Sequence, residues 1–147
     1  NKVFIFFSVF FLIGGARDTA APKKEIINFD EKIREYYVSL PEDTSKPVPI
    51  IINFHGFLSH AMDQQGFSQM DNYAHQNGIG VIYPEGIKKS WNVGKAILND
   101  ENDIGFVNAL IDSVSLNIIS ILIVYMLADF QMAAPSLMSL CVVYLIK

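Results

Sequence analysis

The sequence contains very little cysteine and little charge. Its 147 residues include one cysteine, Cys141, so neither a disulfide framework nor a thiolate metal site is available. Charged residues make up only 18%, and the net charge is -4 with a sequence pI near 5.2. Such a chain offers no basic surface for nucleic acid. We therefore predict no nucleic-acid partner.

The chain also lacks metal-ligand spacings. His60 and His75 have no partner at a zinc-like interval, and the stretch DENDIG does not follow the ligand pattern of a calcium loop. We predict no metal site and no cofactor.

Apolar residues are concentrated at the two ends of a chain that is 51% hydrophobic. The first end has Lys2, an apolar run from Val3 to Ile13, and then small residues. This is the layout of a signal peptide, here residues 1–21, with cleavage after Ala16 or near Ala20 and Ala21. An N-terminal membrane anchor is the alternative, although a spanning helix needs about 20 apolar residues. We expect a secreted, extracellular protein.

Between the ends, residues 22–116 alternate between strand and helix patterns. A hairpin edge around residues 36–40 precedes two continuous apolar strands, VPIIINF (48–54) and IGVIYPEG (79–86). A helix is predicted from Ser68 to the Asn77-Gly78 stop, with Ser68 and Asp71 as a capping pair. After a long polar loop, DIGFVNALIDSVSLN predicts an amphipathic helix with these apolar positions: Ile104, Val107, Leu110, Ile111 and Val114. The order favours an α/β fold with a mostly parallel sheet and flanking helices.

The strongest local signal is the strand that runs directly into His55-Gly56-Phe57. In serine esterases one oxyanion-hole donor is a backbone N–H from the loop after such a strand, so Gly56 and Phe57 are our candidates. The alternative is an ordinary strand-ending turn with a half-buried His55. Trp91 and Asn92, in the loop above the strand ends, are candidates with His55 for lining a substrate pocket. A tryptophan that only covers the core is the alternative for Trp91.

Ser68 lies in GFSQM, which is half of a G-x-S-x-G nucleophile elbow. An elbow needs a strand directly before the serine and a small residue two places after it. Here the pattern before Gly66 is a polar loop, and Met70 takes the place of the second glycine. Helix capping is the better explanation for Ser68.

Taken in order, YYVSLP, IIINFHGF, GVIYPEG, SWNVG and DENDIGFVNALIDSV resemble the secreted esterases of the polyhydroxybutyrate depolymerase and feruloyl esterase group. The resemblance runs from about Glu35 to Leu116 and implies an incomplete α/β-hydrolase fold. It also implies an ester substrate, either a polyester or a feruloyl-polysaccharide, and no cofactor. In that family the next segment reads approximately Tyr-Asn-Ile-Asp-x-Asn-Arg-Val-Tyr, followed by a strand into Gly-x-Ser-Asn-Gly-Gly, whose serine is the nucleophile.

This chain departs from the family at that point. Residues 117–147 carry only two charges, Asp129 and Lys147, and as they stand they predict a membrane segment or a buried helix pair kinked by Pro135. Back-translated and read two bases later, MLADFQMAAP can encode Gly-Phe-Ser-Asn-Gly-Gly, and the same offset lets NIISILIVYM encode the family segment before it. A shift of one base instead forces tryptophan where the turn needs glycine. We therefore hypothesise a frameshift near Ser115 to Asn117 and an out-of-frame tail.

The consequence is that no residue of this chain is predicted to be catalytic. The family serine is absent, and in α/β hydrolases the aspartate and histidine follow it. The rival hypothesis is a non-catalytic membrane-anchored protein whose tail from Ile118 is a genuine membrane segment. A third is a binding domain that has lost its nucleophile, which would require the tail to fold as sheet; Asp129 argues against that.

Overall fold

The computed structural model describes residues 21–92, 100–117, 122–127 and 143–145. In chain order its elements are β1 (Lys23–Phe29), β2 (Lys32–Ser39), β3 (Ile50–Phe54), α1 (Ala61–Ser68), α2 (Met70–Gln76), β4 (Gly80–Pro84), a 3₁₀ turn (Ile87–Lys89), α3 (Asp103–Asn117), β5 (Leu122–Leu127) and β6 (Val143–Leu145). The predicted signal peptide lies outside the described residues, as does most of the tail.

The strands form one mixed sheet in the order β1-β2-β4-β3-β5-β6. The inner strands β4, β3 and β5 are parallel, whereas β1, β2 and β6 run antiparallel to their neighbours. The crossovers that parallel strands require are made here by helices. The expected α/β class with a parallel centre is therefore confirmed.

The predicted hairpin edge is formed by β1 and β2. Its two-residue turn consists of Asp30 and Glu31, with φ of 52° and 59°. Left-handed residues at both central positions give the turn a twist that matches the flanking strands. The hairpin adds an antiparallel border to the buried centre of the sheet.

The two faces of the sheet are covered by different helices. Strand residues alternate between faces, and along β4 Ile82 belongs to the cluster with α3 while Val81 and Tyr83 belong to the cluster with α1 and α2. β3 directs its buried side chains Ile50 and Ile52 to the α3 side. This alternation explains why both strands read as continuous apolar runs in the sequence.

The bounds of α3 agree with the prediction, but one residue of its predicted apolar face does not. Ile104 is 67% exposed, whereas Phe106, which we did not assign to the face, is fully buried with Leu110. At about 100° per residue, the stripe that contains Phe106, Leu110 and Val114 spans about 80°, and Ile104 lies about another 80° beyond Val114. Apolarity alone did not identify which residues face the sheet.

The helix before β4 begins earlier than predicted. The segment before Gly66 is helix α1 rather than a polar loop, and Ser68 ends α1 instead of starting the next helix. No amphipathic pattern marks α1 in the sequence, because this helix buries only Ala61 and Gln64. The Glu85 carboxylate, distant in sequence, accepts the Ala61 N–H at 2.8 Å.

The described part of the tail also differs from the expectation of a membrane segment or helix pair. Leu122–Leu127 forms β5, parallel to β3, and Val143–Leu145 pairs with it. A short apolar run is compatible with either a buried helix or a buried strand, and β3 offers an edge for pairing. Within the described ranges, none of the helices has the length and apolar character needed to cross a membrane.

Candidate functional site

The predicted oxyanion loop lies where the parallel strands end. His55 directly follows the last residue of β3, and the pairing of Phe54 with Leu127 brings the end of β5 to the same level of the sheet. β4 ends beside them, since Ile52 pairs with Ile82. Ligands of open α/β sheets bind at this edge.

His55 is buried, at 1% exposure, and both of its ring nitrogens are hydrogen-bonded. The Gly86 N–H donates to Nε2 at 2.9 Å, and Nδ1 lies 2.8 Å from the Gly56 carbonyl oxygen. An N–H can only donate and a carbonyl can only accept, so Nε2 carries no proton and Nδ1 carries one. His55 is therefore neutral, with a single tautomer fixed by its surroundings.

The electrostatic environment of His55 agrees with that assignment. Burial lowers the pKa of His55 below its usual value, although the Gly56 carbonyl and the Glu85 carboxylate, 3.7 Å from Nε2, favour the charged form. His60 binds the same Glu85 oxygen through Nδ1 at 2.9 Å. Desolvation prevails because the imidazole has almost no contact with water.

Gly56 and Phe57 present two backbone N–H groups at this edge. Neither group makes a hydrogen bond within the part of the chain that the structure describes. Gly56 is buried and Phe57 is 55% exposed. The loop then turns at Leu58, whose φ is 62° and whose N–H donates to Lys89 O at 2.8 Å. The oxyanion role of Gly56 and Phe57 remains a prediction, and their free donors are compatible with it.

Trp91 lies against the root of this loop. Its ring makes an edge contact with Phe54, centroids 5.1 Å apart, and also lies 5.1 Å from the His55 ring. Its Nε1–H donates to the His55 carbonyl oxygen at 3.0 Å. The structure thus brings together two of the three predicted pocket residues, Trp91 and His55; that they contact a substrate remains a prediction.

Asn92 is held by hydrogen bonds to residues at and just before the start of α3. Its N–H donates to Asp103 Oδ2 at 2.7 Å, and its side chain donates to the Glu101 carbonyl oxygen at 3.0 Å. Asp103 also accepts from Arg34 Nη2 at 2.7 Å, in an ion pair that is almost completely buried. The Arg34 guanidinium stacks on Phe106, 3.8 Å from the ring centroid.

Arg34, Gly86 and Asp103 were not predicted as site residues. Gly86 has a recognisable reason for being glycine, because a Cβ there would lie 2.6 Å from Ser90 O and 3.1 Å from His55 Nε2. Asp103 could have been suspected, since an acidic residue at the start of a predicted helix is a common feature. Its pairing with Arg34, 69 positions earlier, had no signal in the sequence.

Ser68 does not occupy a nucleophile elbow. It ends α1, so no strand precedes it, and its Oγ accepts from Asn53 Nδ2 at 3.1 Å and from the Met70 N–H at 3.4 Å. The expected capping pair is also wrong in detail, because Gln69 is the N-cap of α2. Asp71 instead turns inward and accepts from Gln65 at 3.0 Å.

No group of three or more potential metal-ligating side chains comes together among the described residues. The segment that encodes the elbow when it is read two bases later, from about Leu127 to Ala134, lies almost entirely outside the described residues. The structure therefore describes one side of the predicted site, the loop after β3.

Comparison with solved structures identifies the architecture. FphF, a fluorophosphonate-binding serine hydrolase of Staphylococcus aureus, matches with a TM-score of 0.55 and 18% identity over 66% of this chain. S-formylglutathione hydrolase (FrmB) of the same organism matches with a TM-score of 0.53 and 18% identity over 65%. A ferulic acid esterase of Anaeromyces mucronatus matches over 79% of this chain and 51% of its own, at 22% identity and a TM-score of 0.46.

No family model and no curated protein sequence matches the chain. It spans 41% of the length of each of the two staphylococcal hydrolases. At these identities the likeness concerns the fold, which agrees with the strand order and the parallel centre of the sheet. The described chain has an α/β-hydrolase-like fold.

Proposed function

We propose that this chain carries the N-terminal part of an exported serine ester hydrolase, of the polyhydroxybutyrate depolymerase or feruloyl esterase type, whose nucleophile elbow is hidden by a frameshift. The substrate would be a polyester or a feruloyl-polysaccharide ester. Gly56 and Phe57 would supply oxyanion-loop donors, and the serine would come from the bases that now encode Phe130 and Gln131.

The observation that carries this proposal is the loop after β3, whose Gly56 and Phe57 N–H groups lie at the carboxyl edge of the parallel strands. These two N–H groups make no hydrogen bond among the described residues. Leu127, which pairs with Phe54, belongs to the tail that a corrected frame would replace, and we expect the strand before the elbow to take the same place beside β3. In α/β hydrolases the elbow follows such a strand, and the loop after β3 supplies an oxyanion donor. Read two bases later, the codons after Leu127 can encode a glycine, a phenylalanine and then the serine.

The reaction follows from these parts. The elbow serine would attack the ester carbonyl, and the negative charge that develops on the carbonyl oxygen would be stabilised by backbone N–H donors. A histidine would accept the serine proton and then protonate the departing alcohol, and water would release the acyl group. Both the histidine and the aspartate that orients it would follow the serine in the chain.

The test is to resequence the DNA across Ser113 to Ala134 on both strands. We expect one missing or extra base whose correction restores Gly-Phe-Ser-Asn-Gly-Gly, followed by an open frame that encodes an aspartate and a histidine. The corrected protein should hydrolyse p-nitrophenyl butyrate and react with a fluorophosphonate probe. Its serine-to-alanine variant is the matched control and should do neither.

If resequencing finds no missing or extra base, the proposal is overturned. The rival, a non-catalytic protein anchored through the tail from Ile118, would then be tested by membrane fractionation, in which a genuine anchor requires detergent for extraction. Secretion is tested separately by N-terminal sequencing of exported protein, where we expect cleavage after Ala16 or near Ala20 and Ala21.

A further inference from the structure

Two peptide groups determine where the N–H groups of Gly56 and Phe57 point. A peptide unit is planar and trans, so its C=O and N–H lie in one plane and point in opposite directions. The unit between His55 and Gly56 contains the His55 carbonyl and the Gly56 N–H. The next unit contains the Gly56 carbonyl and the Phe57 N–H. A hydrogen bond that holds one of these carbonyls in place therefore also fixes the direction of the N–H in the same peptide unit.

Both carbonyls are fixed by named donors. The His55 oxygen accepts from Trp91 Nε1 at 3.0 Å. The Gly56 oxygen accepts from His55 Nδ1 at 2.8 Å and from the Ser59 N–H at 3.2 Å. The two N–H groups opposite these carbonyls make no hydrogen bond in the described part of the chain. The two N–H groups are therefore oriented, and no group among the described residues accepts from them.

The side chains that donate to these two carbonyls, those of His55 and Trp91, are themselves held in place by further contacts. The Gly86 N–H holds His55 Nε2 and so keeps the proton on Nδ1, where it is needed for the Gly56 carbonyl. Trp91 is fixed by its contact with Phe54 and by the adjacent Asn92, whose N–H is bound to Asp103 at 2.7 Å. The buried pair between Asp103 and Arg34 connects this support to β2.

We propose that Trp91 and His55 are positioning residues that aim the two oxyanion donors, Trp91 acting on the Gly56 N–H and His55 on the Phe57 N–H. Their catalytic consequence rests on the proposed ester hydrolase function, whereas the orientation itself does not. This positioning role of Trp91 is exerted through the peptide plane of the loop and does not require contact with the substrate.

The direct test measures N–H orientation in the full 147-residue chain. One-bond N–H residual dipolar couplings of Gly56 and Phe57 are compared between the wild type and Trp91→Phe, which keeps an aromatic ring against Phe54 but removes the indole donor. We expect the Gly56 coupling to change while those of β3 stay the same. The matched control is Ser115→Ala, which removes the hydrogen bond from Ser115 Oγ to Ile111 O on α3 and should leave both loop couplings unchanged.

A second measurement needs no substitution. The chain has one tryptophan, so its indole N–H gives a single resonance. We expect slow exchange of this proton with solvent, because it is donated to the His55 carbonyl. Exchange at the rate of free indole, or a Gly56 coupling unaffected by Trp91→Phe, would overturn the proposal.

Kinetics of the frame-corrected enzyme separate this proposal from the proposed function. Oxyanion donors act mainly in the transition state, so Trp91→Phe should lower kcat and leave KM nearly unchanged. Loss of a whole donor costs about 10² to 10³ in kcat; for a misaimed donor we expect a loss of roughly tenfold. If the corrected enzyme has no activity but the couplings shift as expected, the proposed function fails and the positioning role stands.

Discussion

His55 shows how a buried site fixes the state of a single residue. A carboxylate lies 3.7 Å from its Nε2, which would ordinarily favour the imidazolium. The Gly86 N–H points at that nitrogen instead, and a protonated Nε2 would place two donors against each other. Charging His55 therefore means breaking the contact that joins the β3 loop to the end of β4.

The first prediction concerns the pH dependence of stability. Because burial lowers the folded-state pKa of His55 below the unfolded value of about 6.5, the unfolded chain binds its proton first as the pH falls. The contribution of neutral His55 is fully present above about pH 6.5 and is lost as the pH falls toward the folded pKa. When urea unfolding at about pH 8 is compared with that at about pH 5, the free energy of unfolding should fall more for the wild type than for His55→Gln. An equal loss in both would contradict this.

The acidic and basic groups around His55 do not confuse that comparison. Glu85, His60 and Asp63 are the charged or titratable side chains that act on it, and all three are retained in His55→Gln. Both proteins therefore carry the same set of neighbouring charged and titratable groups.

The second prediction compares two ion pairs that join β2 to the start of α3. Arg34→Ala would leave Asp103 buried without its partner, and breaking a buried pair in this way costs about 3–5 kcal/mol. Lys32→Ala breaks the pair between Lys32 and Glu101, in which the lysine side chain is 52% exposed, and should cost far less because water screens it. Chemical unfolding of both variants measures the difference. Similar losses would show that the Arg34 pair does not hold α3 to the sheet.

At the scale of elements, α3 is the helix that the sequence described best. The bounds of α3 followed from a long amphipathic pattern. The helix α1 was missed because its few buried residues include a glutamine and because its N-terminus is held by Glu85, which is distant in sequence. β5 was missed for another reason, since a short apolar run predicts helix and strand equally well. Pairing with β3 decided between them.

The third prediction tests the face that α3 buries. Leu110 is fully buried between α3 and the sheet, so Leu110→Ala should lower the free energy of unfolding by about 2–5 kcal/mol through lost contacts and a cavity. Ile104→Ala, on the exposed side of the same helix, should stay within about 0.5 kcal/mol of the wild type. Urea unfolding midpoints provide the comparison, and a reversed order would mean that the helix is rotated.

At the scale of the whole molecule, the described chain contains one side of the predicted site. The loop after β3 presents the Gly56 and Phe57 N–H groups at the carboxyl edge of the sheet, whereas the predicted elbow segment lies almost entirely outside the described residues. Beyond β3 the sheet extends to β5.

The fourth prediction is that the 147-residue chain as given shows no turnover of p-nitrophenyl butyrate. Ser68 is bonded to Asn53 and Met70 at the junction of two helices, so Ser68→Ala should leave that result unchanged. A continuous spectrophotometric assay with the frame-corrected enzyme as positive control measures this. Activity that disappears in Ser68→Ala would overturn our account of the elbow.

The sequence by itself determined the class of the fold and the place of the loop. Continuous β-branched runs need burial on both faces, which demands helices on each side of a parallel sheet, and His55-Gly56 at the end of such a run marks where a ligand edge begins. These requirements are local, so they can be recognised in the sequence without knowing which distant residues each segment contacts. The tertiary structure decided which groups complete them: the tautomer of His55, the bond from Trp91, the pair between Arg34 and Asp103, and the pairing of Phe54 with Leu127. Each joins positions far apart in the chain, and only packing of the folded sheet and helices brings them within hydrogen-bond distance.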